Sequence, residues 1–346
     1  MALARTYTMW SRLFLTCLAV VLSGCASRDE GEKRVVVYAS VDQNHGEPVL
    51  KAFERKTGTR VFAVHDVEAA KTTGMVNRLI AEKARPQADV FWSGEFAQTI
   101  LLKEQGVLAP YASANAADIP DSYRDPANYW TGFAGRARVF IVNTDLVAPA
   151  DYPKSLHDLL DPKWPADKVA IAYPLFGTTA THAAALYAAW GPEKARRFFE
   201  QLRARGVRIV PGNSVVRDLV ANGRAMWGLT DTDDAAGAIA RGAPVTVVFP
   251  DQDGEGLGTL VVPNTVALVA GAPHPEQARA LIDYMVSREV ERRLVESGWC
   301  HVPVRECDEQ PRHIQAADVK AMQVNLEEVY QQIARVKREL AEIFVK

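Results

Sequence analysis

The chain has 346 residues, of which 48% are hydrophobic and 24% are charged, and its formal net charge at pH 7 is −2. This composition is typical of a globular α/β protein, and a mildly acidic chain without basic runs disfavours nucleic acid as a partner. A chain of this length exceeds what one hydrophobic core usually supports, so we expect two lobes.

The first 24 residues are predicted to be a targeting segment. Arg5 and Arg12 form a basic region, and residues 13–22 form an apolar run too short to span a bilayer. Leu22-Ser-Gly-Cys25 resembles the lipobox of bacterial lipoproteins, which favours lipidation of Cys25 over an ordinary membrane anchor with a chance cysteine. No later segment is apolar over enough residues for a transmembrane helix. We therefore expect a periplasmic protein that contacts the membrane only through its lipid anchor.

Strand and helix patterns alternate after the targeting segment. Residues 34–39 form a nearly continuous apolar run, which is typical of a strand covered on both faces. Pro48 is expected to open the first helix after a polar turn, and Gly58 to end it. Further strands are predicted at 60–64 and 88–92, with helices at 72–84 and 93–105. This alternation predicts a parallel, doubly wound sheet.

A second lobe is expected after the long strand predicted at residues 135–144. A strand at 260–268 would return the chain to the first lobe. We therefore predict an α/β fold of two doubly wound lobes, joined by two crossover strands that permit hinge motion, with a ligand cleft between them. The expected division is 1–24 for the signal peptide, 25–135 plus 266–346 for lobe 1, and 136–265 for lobe 2.

From Val319 onward, apolar residues recur at alternating spacings of three and four, as in an amphipathic helix. The same spacing is also a coiled-coil pattern, so dimerisation is an alternative. We favour a single long helix packed on the first lobe of a monomer.

Four cysteines occur in the chain. Cys17 would be removed with the signal and Cys25 lipidated, which leaves Cys300 and Cys307. Because an exported protein occupies an oxidising compartment, we expect a local disulfide between these two residues. A zinc site is disfavoured, since His301 is the only other metal-binding side chain close by in sequence that suits zinc.

Residues 227–235 are predicted to be the end of a buried strand that runs directly into a helix. They include Asp231, Asp233 and Asp234, with Thr230 and Thr232 between and beside them. Helix capping accounts for one or two of these side chains. A third carboxylate adds like-charge repulsion, and ligands bind at strand ends of this kind in open α/β sheets. We therefore predict a cation site at the three aspartates, with capping as the alternative.

Other polar side chains follow the predicted strands of both lobes and are expected to face each other across the cleft. A Gly-Thr-Thr sequence at a helix start suits an anion, because backbone N–H groups and the helix dipole point there. The further candidates for cation binding are Asp42, His45 and Glu95, and those for anion binding are Ser40, Gly177, Thr178, Thr179 and Asn213.

Enzyme signatures are missing from the sequence. It has no Gly-x-Ser-x-Gly elbow, no His-Glu-x-x-His, no phosphate-binding loop and no dinucleotide fingerprint. Binding is therefore favoured over catalysis, and no intrinsic cofactor is expected.

From about residue 35 to 344, the chain resembles the two-lobed solute-binding proteins of bacterial ABC importers, nearest to the ferric-iron-binding periplasmic proteins. The resemblance implies an importer permease and its ATPase as partners, and a small molecule or ion as ligand. It is carried by Val36-Val-Tyr38, Leu50-x-x-Phe-x-x-x-Thr-Gly58, Ala81-Glu82, Pro86-x-Ala-Asp-Val-Phe-Trp-Ser93, Gly106-x-Leu-x-Pro110, Gly212-Asn-Ser214 and Ser297-Gly298.

The chain departs from that family at its metal ligands. The family's histidine falls on Asp42, with His45 near, and its glutamate falls on Gly94, with Glu95 one residue later. Its paired tyrosines fall on Asp233 and Asp234. Because ferric ion also accepts carboxylates, the expected ligand is iron(III) or another hard metal ion, carried as cargo with a bound anion.

Two other readings stay open. The same receptor role for a phosphorylated or phosphonate organic solute fits the anion-binding positions Thr178, Thr179 and Asn213, which lie where the family contacts its anion. An extracytoplasmic hydrolase or sensor on the same fold is the alternative from another class, because fold alone does not determine function.

Overall fold

The computed structural model describes residues 33–41, 43–65, 73–309, 311, 313, 314, 316 and 318–345. The predicted signal peptide, Cys25 and Asp42 lie outside these residues. No helix within the described part of the chain is both long and apolar enough to cross a membrane.

The first part of the chain alternates strands and helices, as predicted. The first strand (Arg34–Ser40) pairs in parallel with the strand on each side of it, and its side chains are largely buried. The elements are β1 (Arg34–Ser40), α1 (Gln43–Thr57), β2 (Arg60–His65), α2 (Thr73–Ala81), β3 (Val90–Ser93), α3 (Ala97–Glu104) and β4 (Leu108–Ala109).

Two predicted helix starts are wrong. Helix α1 begins at Gln43 and includes Pro48 in its interior, at the cost of one backbone hydrogen bond. The Gln43 amide donates to the Glu47 carboxylate one turn later (3.0 Å), which supports the turn before the proline. Helix α3 begins at Ala97, because Ser93 still pairs with Ser40 at the ends of β3 and β1.

Strand β5 (Thr131–Asn143) is the crossover that the sequence predicted. Its first half pairs antiparallel with β10 (Val261–Val269), and its second half pairs with β8 (Trp227–Asp231) and β9 (Val245–Val248). Strand β10 continues the sheet to β3 and β4. The described strands form one ten-stranded sheet, in which β5 belongs to both halves.

The second half of the sheet is also built from strands followed by helices. Strand β6 (Val169–Ala172) pairs in parallel with β7 (Arg208–Val210) and β8, so their carboxyl ends share one edge. The remaining elements of this half are α4 (Gly177–Trp190), α5 (Pro192–Arg205), α6 (Asn213–Ala221) and α7 (Thr232–Ala240).

After β10 come α8 (Pro275–Met285), α9 (Arg288–Glu296) and the long C-terminal helix α10 (Leu326–Phe344). Helix α10 buries its apolar stripe within the chain, mainly against α4 and α5 and partly against α3. The expected packing on the first lobe is therefore only a minor part of its contact. The hydroxyl of Tyr187 on α4 donates to Glu339 on α10 (3.0 Å), which helps to hold the helix there.

The predicted disulfide is not formed: Cys300 and Cys307 are both free thiols. Cys300 is buried in the core, where its Sγ donates to the carbonyl oxygen of Gly135 on β5 (3.2 Å). Cys307 is partly buried and its Sγ lies 3.5 Å from a carboxylate oxygen of Glu309. Burial raises the pKa of both thiols, which keeps them protonated.

Candidate functional site

The carboxyl ends of β6, β7 and β8 bring together the starts of helices α4, α6 and α7. Gly228 on β8 permits this, because a Cβ there would lie 2.5 Å from the carbonyl oxygen of Ala170 on β6 and 2.5 Å from Cγ1 of Val216 on α6. The close approach draws Asn213, the first residue of α6, to Asp231, the last residue of β8. The predicted second-lobe candidates therefore meet at one point.

Arg138 on β5 is the centre of this cluster, and its side chain is completely buried. It pairs across the sheet with Asp231. Its Nη1 donates to Oδ1 of Asp231 (2.6 Å), Oγ1 of Thr178 (3.1 Å) and Oδ1 of Asn213 (3.2 Å), and its Nη2 donates to Oγ1 of Thr179 (3.3 Å). We call these five residues the Arg138 network.

Further hydrogen bonds join the other members of the Arg138 network to one another. The Thr178 hydroxyl donates to Oδ2 of Asp231 (2.6 Å), and Nδ2 of Asn213 donates to the same oxygen (3.0 Å) and to Thr178 Oγ1 (2.9 Å). Buried polar groups of this kind are stable only when their bonds are made. The network holds the starts of α4 and α6 against the end of β8.

Side-chain capping does not explain Asp231. Asp231 is the N-cap residue of α7, but its side chain makes no capping hydrogen bond there. The N-cap residues of α4 and α6 are Phe176 and Gly212, also without a side-chain cap. Gly177 begins α4 with a φ of +54°, a left-handed conformation that glycine adopts readily. The side chains of Thr178, Thr179 and Asp231 thus bind Arg138 instead of capping the helices.

Each of the three aspartates pairs with a different arginine. Besides the Asp231–Arg138 pair, Asp233 Oδ2 accepts from Nη1 of Arg136 (2.9 Å), and Asp234 Oδ1 accepts from Nη1 of Arg217 (3.1 Å). Carboxylate oxygens of the three aspartates all lie within 4.8 Å of one another. The predicted cation candidates are therefore together, but arginines that the sequence reasoning missed already balance their charge.

The environment of Asp233 and Asp234 sets their pKa values apart. Burial acts to raise the pKa of Asp233, but the charge and hydrogen bond of Arg136 outweigh it and hold this pKa below its ordinary value. Burial and the neighbouring charges of Asp233 and Asp231 raise the pKa of Asp234 to about 7. The two adjacent acids are thus electrostatically distinct.

Arg136 connects this site to the first part of the chain. While its Nη1 holds Asp233, its Nη2 donates to the carbonyl oxygen of Gly94, after β3 (3.0 Å). Gly94 also lies next to Ser40, since a Cβ on Gly94 would be 3.4 Å from the Ser40 carbonyl oxygen. The signal for both arginines was in the sequence: two charged residues alternate in an otherwise apolar strand.

The other first-lobe candidates lie in less direct positions. Both carboxylate oxygens of Glu95 accept backbone N–H groups at the start of α3, from Ala97 (3.0 Å) and Gln98 (3.2 Å), so Glu95 caps this helix. Burial raises the pKa of Glu95 despite these bonds. The ring of His45, on the first turn of α1, stacks on Trp299 with 5.3 Å between centroids. Their roles as metal ligands stay predictions.

Comparison with known proteins identifies the family of the chain. Residues 85–325 match the model of the bacterial extracellular solute-binding protein family. The chain belongs to this family. The resemblance and the two-lobed α/β fold class predicted from the sequence are therefore confirmed.

Among the curated relatives of this solute-binding protein, iron uptake protein A1 of Synechocystis sp. is 27% identical over 308 residues, covering 86% of this chain and 83% of the relative. A putative 2-aminoethylphosphonate-binding periplasmic protein of Salmonella typhimurium is 27% identical over 291 residues, covering 81% and 82%. Both alignments span most of each protein. These two relatives are named for uptake and for binding, which fits the prediction that the chain is not an enzyme.

Solved structures support the fold. The apo ferric ion-binding protein A of Pasteurella haemolytica has a TM-score of 0.78 and 22% identity, covering 90% of this chain and 98% of that chain. A Trichodesmium protein in complex with iron and citrate has a TM-score of 0.79 and 24% identity, covering 90% and 100%. These likenesses show that this solute-binding protein has the ferric-binding protein fold.

Proposed function

We propose that this protein is a lipid-anchored periplasmic receptor of an ABC importer, and that it captures iron(III) or another hard metal ion together with an anion. The observation that carries this proposal is the grouping of Asp231, Asp233 and Asp234, whose carboxylate oxygens lie within 4.8 Å of one another. Hard cations prefer oxygen ligands of this kind. The names of relatives in iron uptake, and the iron and citrate bound by a protein of the same fold, support this choice.

The three carboxylates would divide the work. Asp231 is only 8% exposed and is committed to Arg138, so it serves to position the site. The side chains of Asp233 and Asp234 are 30% and 17% exposed, so they are the ones open to an incoming ion. A metal ion bound to Asp233 and Asp234 would neutralise their charge. Arg136 and Arg217 could then bind the accompanying anion. This exchange accounts for arginines beside an acidic site.

A phosphorylated or phosphonate solute is the second candidate, and one observation favours it. The Arg138 network gathers a guanidinium, two threonine hydroxyls and an asparagine amide at the start of α4, a combination that suits a phosphoryl oxygen. The aspartates would then bind an amine on the same solute. The relative named for 2-aminoethylphosphonate supports this reading.

The partners follow from the receptor role. An importer permease and its ATPase would receive the ligand, as the name of a probable ABC transporter periplasmic-binding relative suggests. The lipidated Cys25 would keep the receptor at the membrane. Strand β5, shared by both halves of the sheet, would serve as a hinge for closure around the ligand.

The test is the double variant Asp233→Asn/Asp234→Asn, measured by thermal unfolding with and without ferric citrate and, separately, 2-aminoethylphosphonate. A ligand at about 100 times its Kd stabilises the native state by about 2.7 kcal/mol. We expect ferric citrate to raise the Tm of the unmodified protein but not that of the double variant.

Asp218→Asn is the matched control, because Asp218 pairs with the same Arg217 (2.8 Å) but is 56% exposed on α6. It should keep the full rise in Tm. If ferric citrate stabilises the double variant as much as the unmodified protein, the acidic stretch is structural. If only 2-aminoethylphosphonate stabilises the protein, the second candidate replaces the first.

A further inference from the structure

His301 is a buried side chain whose polar atoms have no hydrogen-bond partner among the described residues. It is 0% exposed, and both Nδ1 and Nε2 of its ring are unpaired in this way. An unpaired buried polar group costs on the order of 1–3 kcal/mol, so natural proteins rarely keep one without a reason. A bound group outside the described residues would account for one of these nitrogens.

The backbone places His301 beside the acidic stretch. Its N–H and that of Val302 both donate to the carbonyl oxygen of Gly135 (3.2 and 3.0 Å), and Gly135 directly precedes Arg136 on β5. Arg136 in turn holds Asp233. Burial lowers the pKa of His301, and the nearby charge of Asp233 acts in the opposite direction.

One carboxylate oxygen of Asp233 also lacks a hydrogen-bond partner among the described residues. Its Oδ2 accepts the hydrogen bond of Arg136, but its Oδ1 is buried without a partner among the described residues. One carboxylate oxygen of Asp233 and both imidazole nitrogens of His301 are thus buried without partners among the described residues. A hydrogen bond between Asp233 and His301 would have satisfied two of them, but the structure does not form one.

We propose that His301 supplies an imidazole nitrogen to the metal ion bound by Asp233, an inference that rests on the proposed metal-binding function. Imidazole and carboxylate together suit iron and other first-row transition metals better than calcium or magnesium, which prefer oxygen ligands alone. With an imidazole ligand, the ion that the protein carries would be a transition metal. The proposal also assigns a site residue to the segment after α9, which reaches the acidic stretch through Gly135.

A matched control is available in His182 on α4. It is also buried, at 3% exposed, and its Nε2 also lacks a partner among the described residues. Burial and the charge of Arg138 lower the pKa of His182, whereas the charges acting on His301 include Asp233 as well as Arg136. Removing the His182 ring imposes a comparable change on the core without touching the proposed ligand set.

The experiment uses the full chain, purified in detergent without a histidine tag, with His301→Gln and His182→Gln variants. Affinity for iron(III) is measured with ferric citrate at pH 7.5. Pulsed electron paramagnetic resonance with one equivalent of Cu(II) then detects an imidazole nitrogen bound to the metal. We expect His301→Gln to weaken iron(III) binding at least about tenfold, the lower bound for losing even an outer-shell partner. It should also lose the nitrogen signal, while His182→Gln keeps both.

Each other result overturns the inference in a recognisable way. If the unmodified protein binds iron(III) but shows no imidazole signal, or if His301→Gln keeps affinity and signal, His301 is not a ligand and the proposed function stands. If the unmodified protein binds neither ferric citrate nor Cu(II), both proposals fail together. If His301→Gln does not fold, the imidazole signal is compared between the unmodified protein and Asp233→Asn. We expect the unmodified protein to show the signal and Asp233→Asn to lose it, because the metal site is lost.

Discussion

Arg138 and Asp231 face each other across β5 and β8 and form a buried ion pair, with 2.6 Å between Nη1 and Oδ1. The pair is the point where the crossover strand meets the start of three helices. Because both side chains are almost completely removed from water, each depends on the other for its charge to be tolerated. The site and the stability of the second half of the sheet are thus coupled through one contact.

We predict that Asp231→Ala lowers the free energy of unfolding of the ligand-free protein by about 3–5 kcal/mol, because it leaves the Arg138 charge buried and unpaired. Urea unfolding followed by circular dichroism measures this. The exposed Asp167→Ala control should change the value by less than about 0.5 kcal/mol. A loss below about 1 kcal/mol for Asp231→Ala would contradict the importance of the pair.

We expect Arg136 to hold the ligand-free protein in a more closed conformation. Its two contacts, with Asp233 (2.9 Å) and the Gly94 carbonyl (3.0 Å), join the start of α7 to the turn after β3. Arg136→Gln should therefore open the ligand-free protein, which small-angle scattering would record as a larger radius of gyration. The exposed Arg241→Gln control should leave the radius unchanged. Equal radii for all three proteins would rule out a closing role for Arg136.

We expect His182 to make the free energy of unfolding depend on pH. Burial, together with the charge of Arg138, lowers the pKa of His182 to about 3. The unfolded chain takes up this proton below a pH of about 6.5. Between about 6.5 and about 3 the unfolded state binds more protons at this group, so its contribution to stability is lost as the pH falls.

The corresponding measurement compares Tm values from pH 8 to pH 4 for the unmodified protein, His182→Gln and the exposed control His157→Gln. We expect His182→Gln to flatten the decline in Tm below pH 6.5 and His157→Gln to leave it unchanged. Parallel curves for all three proteins would show that His182 does not control acid stability.

The lipid anchor predicts a change in location. Cys25→Ala should leave the protein soluble in the periplasm or unprocessed, because the modified residue is missing. Cell fractionation with carbonate washing, followed by mass spectrometry of the mature N-terminus, measures this. Normal processing together with continued membrane partitioning of the variant would disprove the lipoprotein prediction.

Local sequence patterns were sufficient for the order of strands and helices. The apolar run at β1 and the periodic helices after it depend on interactions between residues close in sequence, so each can be recognised in isolation. The same locality explains the errors at helix starts. Whether α1 begins at Gln43 or at Pro48 depends on the side-chain bond to Glu47, which apolar periodicity does not contain.

By itself, the sequence determined the α/β fold class, the crossover strand β5 and the acidic stretch at the end of β8, because these are properties of continuous segments. Only the tertiary structure decided what the acids do. The partners of Asp231, Asp233 and Asp234 are Arg138, Arg136 and Arg217, and the first two lie more than 90 residues away. Likewise, the backbone N–H of His301 donates to the carbonyl oxygen of Gly135, 166 residues earlier in the chain. Charges separated so far in sequence interact only after the sheet has brought the ends of its strands together.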